Sequence, residues 1–214
     1  MSKINQEKLK QSLAYIRENR KERKFTEACD LQVILRDYNP EKEKRFNSVV
    51  VLPYQCRAQQ KVCVIANVKH LDECKKLGVT CIDLDGIKKF NKQGKPVKKW
   101  ARTFDALLVS ENINKQVAAQ IGKILSSVHK LPVTLAETDT VSSRLKELQY
   151  SIRWRIKKVP WLAQGVGVDT LEDEQLRQNV NKSLNFLVSL LPKGWQSIRT
   201  VHIKFSMGQG QRIF

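Results

Sequence analysis

Lys61-Val62-Cys63-Val64-Ile65-Ala66 and, further on, Phe104-Asp105-Ala106-Leu107-Leu108-Val109-Ser110 are short apolar runs, each followed by helical periodicity. The first gives way to a helical pattern over His70–Leu77, the second to one from Ile113 to about Leu125. Val79–Leu84 and Leu131–Leu135 read as further strands, with helical patterns over Asp85–Asn91 and Thr140–Leu148 after them. Strands alternating with helices at this length build βαβ units around a parallel sheet. Residues 61–150 therefore predict a Rossmann-like α/β body able to close its own core.

On either side the rhythm differs. Leu9, Leu13 and Ile16 share one face of an N-terminal helix, which runs into the charged stretch Arg20-Lys21-Glu22-Arg23-Lys24. Leu31, Val33 and Leu35 then alternate with polar residues over Glu27–Arg36, and a second strand is read over Asn47–Leu52. The charged turn between these two strands, marked by Asn39-Pro40, points to an antiparallel pair. Beyond Gln149, Ile152, Trp154 and Ile156 alternate with Arg153, Arg155 and Lys157, and Trp161–Val168 follows as another strand. A long helix is predicted over Thr170–Leu191, capped by Thr170 and striped with Leu176, Val180, Leu184, Leu187 and Leu191. Arg199–Ser206 supplies the last strand. Neither end has enough strands to stand alone. The economical architecture is α/β in two domains: a discontinuous α+β domain of residues 1–60 and 151–214, with an antiparallel sheet, and an inserted Rossmann-like domain of residues 61–150. Core strands near Leu31, Val49, Trp154 and Ile203 would meet in the first.

Charge narrows the function. The chain has 39 Lys plus Arg against 21 Asp plus Glu, a net +18. Folding does not need that excess, whereas a polyanionic partner does, and nucleic acid is the usual one. Both bodies share it: residues 61–150 carry 16 bases to 9 acids, the remainder 23 to 12. From Lys88 to Arg102 there are seven bases (Lys88, Lys89, Lys92, Lys95, Lys98, Lys99, Arg102) and no acid. Gly94, Pro96 and Trp100 interrupt them, and the run reads as an electrostatic contact to RNA phosphate. No apolar run approaches bilayer length, and the polar N-terminus lacks a signal peptide's apolar stretch, so no membrane partner is expected.

Nothing in the sequence assembles a catalytic centre. His70, His129 and His202 are far apart without metal-ligand neighbours, and Cys29, Cys56, Cys63, Cys74 and Cys81 form no CxxC. These are expected to be reduced, mostly buried thiols of a cytosolic protein, with no metal and no disulfide framework. Asp83 and Asp85 end a strand and cap the next helix. The α/β body lacks GxGxxG and P-loop signatures, and Gly165-Val166-Gly167 is only a fragment of one. A non-enzymatic protein with no cofactor and no small-molecule substrate is the reading.

Three stretches together resemble one family: Phe25-Thr26-Glu27-Ala28-Cys29-Asp30-Leu31; Asn39-Pro40 through Arg45-Phe46 to Val51-Leu52-Pro53; and Phe205-Ser206-Met207-Gly208. With Phe104-Asp105-Ala106 and Asn185-Phe186-Leu187 they are similar, over essentially the whole chain, to the "L-one" family of large-subunit ribosomal stalk proteins. Leu190-Leu191-Pro192-Lys193-Gly194-Trp195-Gln196 resembles the eukaryotic, "L-ten-a", branch. The resemblance implies a two-domain fold with an inserted Rossmann-like domain. It implies a cytoplasmic structural protein that binds large-subunit rRNA at the base of the lateral stalk, beside other ribosomal components, and assists release of deacylated tRNA from the exit site. A free RNA-binding regulator acting on mRNA is the alternative. Phe25, Thr26 and Glu27 match the family's first rRNA-contact motif, and Ser206, Met207 and Gly208 its second, where Thr more often precedes the Met. Lys44 and Arg45 match a basic segment expected to hold phosphate, and the Lys88–Arg102 bases are candidates for the tRNA contact. Ser126-Ser127-Val128-His129-Lys130 departs from the bacterial Gly-Pro-Arg-Gly-type loop.

Overall fold

A computed structural model describes residues 4–21, 23–57, 60–90 and 93–214. The chain divides into two compact units, one of Met1–Ala58 with Leu148–Phe214, the other of Gln59–Glu147.

In the first unit, β1 (Ala28–Leu35), β8 (Trp161–Val168), β9 (Ile198–Phe205) and β10 (Gln211–Arg212) form an antiparallel sheet in the order β10-β9-β1-β8. Alternation does what the sequence foretells: Cys29, Leu31, Val33 and Leu35 are buried, as are Val201, Ile203 and Phe205 on β9. Helices α1 (Gln6–Glu18) and α8 (Asp173–Leu190) cover that face. Leu9, Leu13 and Ile16 of α1 meet Leu176, Val180, Leu184 and Leu187 of α8 there. Each fully buried Leu contributes about 1.5–3 kcal/mol of transfer free energy. β2 (Asn47–Val51) pairs antiparallel with β7 (Ser151–Arg155), and β7 runs beside β8.

Three sequence readings need correction here. β1 and β2 do not pair with each other. Both edges of β1 are taken by the longer strands β8 and β9, whose alternation matches its own, and residues 36–46 form a loop in which Tyr38 and Pro40 are buried. Val50, not Val49, faces the core; Val49 stands exposed opposite Arg153. Helix α8 begins at Asp173, and its N-cap is Glu172 rather than Thr170. The Glu172 backbone N–H donates to Gln175 Oε1 at 3.3 Å, the return bond of a capping box centred on Glu172, two residues after Thr170. Gly165-Val166-Gly167 lies in β8, as the strand read over Trp161–Val168 implies, and a Cβ at Gly167 would meet Leu176 Cδ2 at 2.4 Å, so this glycine serves close packing of α8 on the sheet.

Asn179 of α8 is fully buried and ties the unit together. It accepts from the Tyr54 N–H at 3.1 Å and donates to the Tyr54 and Val166 carbonyls at 3.2 and 2.9 Å.

The second unit holds β3 (Val62–Ile65), β4 (Thr80–Ile82), β5 (Ala106–Ser110) and β6 (Val133–Leu135), all parallel in the order β4-β3-β5-β6. The connecting helices are α2 (Val68–Leu77), α3 (Leu84–Lys88), α4 (Gly94–Arg102), α5 (Glu111–Val117) and α6 (Lys123–Ser127), and α7 (Val141–Tyr150) follows β6. A π-helical turn, Ala118–Gly122, joins α5 to α6. Mixed α/β, with antiparallel sheet in one unit and a parallel sheet with helices in the other, is the fold class the sequence predicts. Helix α4 is where the sequence reading fell short, since Gly94 and Pro96 look like breakers. Pro96 lies in the first turn, where no intrahelical N–H is required. Val97 and Ala101 are buried, and Trp100 packs between Phe90 and Phe104 with ring centroids 5.7 Å from each.

Asp83 caps α3 through the Leu84 N–H at 2.7 Å, as its position foretells. The carboxyl ends of β3 and β5, where such sheets take nucleotides, are engaged by the protein's own polar groups. The Asn67 N–H donates to Ser110 Oγ at 3.1 Å, and Nδ1 of buried His70 lies 2.7 Å from the same oxygen. All five cysteines are free and four are buried. Burial pushes the Cys29 and Cys63 thiols up to about 12 and Cys74 to about 11. Thiols held this far from ionisation are poor nucleophiles.

Candidate nucleic-acid interface

The strand register of the first unit brings the two sequence motifs together. Residues 23–27 lead into the start of β1, and antiparallel pairing sets Cys29 opposite Phe205, the end of β9. Ser206 fastens the join: its N–H donates to the Ala28 carbonyl at 3.0 Å, while its hydroxyl accepts from the Ala28 N–H and donates to the same carbonyl, each at 3.2 Å. A hydroxyl at 206 suffices for this latch.

Beside the latch lies an open groove of about 320 Å³. The end of α1 and its extension (Asn19, Arg20, Lys21, Arg23) form one wall, and Met207, Gly208 and Gln209 the other. Glu27 lies beneath. It is 1% exposed and is held by Arg23 Nε at 2.8 Å and Arg20 Nε at 3.5 Å. Arg20 also reaches Asp169 Oδ2 at 2.6 Å and lies over the Phe205 ring, 5.7 Å from its centroid. One turn back, Arg17 donates to Asp173 Oδ1 at 2.8 Å and to the carbonyls of Asp169 and Leu171. Buried Glu27 and Asp169 thus hold Arg20 and Arg23, both of which line the groove. Guanidinium groups so ordered suit phosphate, which they can bind bidentately.

The apolar members are on the surface. Phe25 is 54% exposed and Met207 64%. Neither side chain is part of the core. Thr26 is exposed beside Phe25. A Cβ on Gly208 would meet Phe205 O at 3.6 Å, an ordinary contact, so no internal packing demands glycine there. Bare backbone at this point lets a ligand approach closely.

Lys44 and Arg45 are not part of the groove. They are exposed in the loop after β1, at its opposite end, where the Ile156 N–H donates to the Phe46 carbonyl and the Leu35 N–H to that of Pro160. The sequence missed Arg20, Lys21, Arg23 and Gln209 as site residues. The i,i+4 spacing of Arg23 and Glu27 before a strand was the available signal.

In the second unit, Lys95, Lys98, Lys99 and Arg102 are exposed on α4, opposite Val97 and Ala101. Their i, i+3, i+4, i+7 spacing makes one basic ridge with no acid in the helix. Lys88 and Lys89 are exposed at the end of α3, Lys88 paired with Asp85 at 2.7 Å. Lys92 lies outside the described residues. No group of three or more His, Cys, Asp or Glu able to hold a metal occurs among the described residues, and no helix there is long and apolar enough to cross a membrane.

Residues 16–209 match the model of the ribosomal protein L1p/L10e family. The chain is 38% identical over 216 residues to the large ribosomal subunit protein uL1 of Oryza sativa subsp. japonica, covering all of both chains. It is 40% identical over 195 residues to that of Drosophila melanogaster, covering 91% of this chain and 90% of the relative. The Entamoeba histolytica protein of the same name is 38% identical over 214 residues, again covering all of both. With a match over nine-tenths of its length and relatives aligned end to end, this chain belongs to the ribosomal protein L1p/L10e family.

Proposed function

We propose that this chain, a structural protein of the large ribosomal subunit and not an enzyme, works in the cytoplasm by gripping large-subunit rRNA at the base of the lateral stalk. The groove beside the Ser206 latch is the grip. The observation that carries this is the meeting of two distant motifs around prepositioned arginines, with Met207 and bare Gly208 lining the groove and Phe25 exposed two residues before Glu27. Arg20, Lys21 and Arg23 hold phosphate, Phe25 and Met207 lie against sugar and base, and Gly208 admits the backbone closely. Glu27 acts through the arginines rather than on RNA. Thr26 lines the approach, and Lys44 and Arg45 add phosphate contacts from the far end of the sheet. Other ribosomal components surround the chain.

The α4 ridge is assigned to deacylated tRNA leaving the exit site. Like charges at i,i+3 and i,i+4 repel by a few tenths of a kcal/mol per pair, and a phosphate backbone relieves that repulsion. Changing Lys95, Lys98 and Arg102 together to Ser is expected to slow exit-site tRNA dissociation several-fold in reconstituted ribosomes. Binding of the protein to stalk rRNA should stay unchanged; unaltered release kinetics would remove α4 from the contact. For the grip itself, affinity for a stalk rRNA fragment should fall linearly on a log–log salt plot. Changing Lys44 and Arg45 together to Ala should flatten the slope by roughly one to two units, and a slope near zero in the unmodified protein would mean that the charge lies elsewhere.

A further inference from the structure

Both helices of the first unit cover one face of its sheet, and the opposite face is bare of them. Along β1 that face carries Asp30, Gln32 and Ile34; pairing sets Trp161 beside Ile34, and Lys204 beside Asp30. Trp161 is 70% exposed, whereas Trp154, seven residues earlier on β7, is 1% exposed. An indole left this open gains nothing for the fold, since burying it is what stabilises. Its surroundings are basic. The turn between β7 and β8 presents Lys157, Lys158 and Val159 to solvent, and Arg153 and Arg155 point outward along β7. None of these four bases makes an ion pair among the described residues. Across the β2–β7 pairing Arg153 faces Val49 and Arg155 faces Asn47, neither of them an acid.

We propose that this turn is a second RNA site, distinct from the groove, which takes a single-stranded segment by stacking a base on Trp161 and seating its phosphates on Arg155 and Lys157. An aromatic platform beside a basic track is what sequence-tolerant single-strand binding requires. Arg153 and Arg155, two residues apart on one strand face, stand roughly 7 Å from each other and form the track. The site is remote from the groove: Glu27 precedes the first residue of β1, whereas Trp161 faces Ile34, roughly 20 Å further along that strand. One unit would thereby hold two RNA segments at once, a structured one at the groove and an unpaired one here.

The test is a fluorescence titration of the full chain with a twelve-nucleotide oligoadenylate at low salt. Stacking on the exposed indole should quench its emission. Trp161→Ala is expected to abolish that quenching and weaken binding about tenfold, while Trp161→Phe, which keeps a ring, retains most of the affinity. Met207→Asp, at the groove, should leave oligoadenylate binding within about twofold, which keeps this site separable from the grip on rRNA. Unchanged affinity in Trp161→Ala would overturn the proposal. So would equal quenching by a twelve-residue polyglutamate, which would make the turn a docking point for an acidic protein segment instead.

Discussion

Met207→Asp is expected to lower affinity for stalk rRNA by roughly a hundredfold or more while moving the melting temperature by no more than about a degree. Met207 is 64% exposed at the rim of the groove, so a carboxylate there meets water in the free protein and costs the fold little. In the complex the same carboxylate would stand against phosphate in a site whose walls are set by Arg20, Lys21 and Arg23. Like-charge juxtaposition across an interface costs several kcal/mol, which is the scale of the expected loss. Filter binding beside a circular dichroism melt reads both quantities. A large fall in melting temperature would show that Met207 supports the core, and unaltered affinity would remove it from the interface.

Glu27→Ala is expected to damage fold and binding together. Glu27 is 1% exposed, and its carboxylate holds Arg20 and Arg23, whose side chains remain 25% and 30% exposed. Removing one partner of a buried ion pair costs about 3–5 kcal/mol. Because both arginines can partly rehydrate, the low end applies, about 3 kcal/mol, or on the order of 10 °C in melting temperature. The freed arginines also lose their fixed direction toward the groove, so rRNA affinity should drop beyond what unfolding explains. Glu27→Gln keeps a hydrogen-bond acceptor for one guanidinium and should recover part of the stability. Equal stability of Glu27→Ala and the unmodified chain would mean that the carboxylate organises nothing.

How much of this could be read from the chain varies with the kind of order involved. Alternation on β1 and β9, and the leucine stripe of α8, state directly which side chains are buried, because a strand or helix face has one period. The βαβ rhythm of residues 61–150 likewise declares a parallel sheet. Pairing partners are another matter: β1 and β2 are neighbours in sequence, yet β1 is claimed by β8 and β9 from the far end of the chain. No local pattern records that competition. Helix α4 was hidden because Gly94 and Pro96 break helices in the interior but not in a first turn. The groove was legible in part. Phe25 and Met207 were found through family resemblance, but Arg20 and Arg23 looked like one more charged stretch. Only the fold shows that Glu27 and Asp169 collect those arginines at the end of β9.

A density map of the assembled large subunit containing this chain would show what fills the groove. The account expects RNA density in the groove, with phosphate within hydrogen-bonding reach of Arg20 or Arg23 and sugar or base against Met207 and Phe25. A groove that faces solvent or another protein, with rRNA held only by residues 60–147, would contradict it.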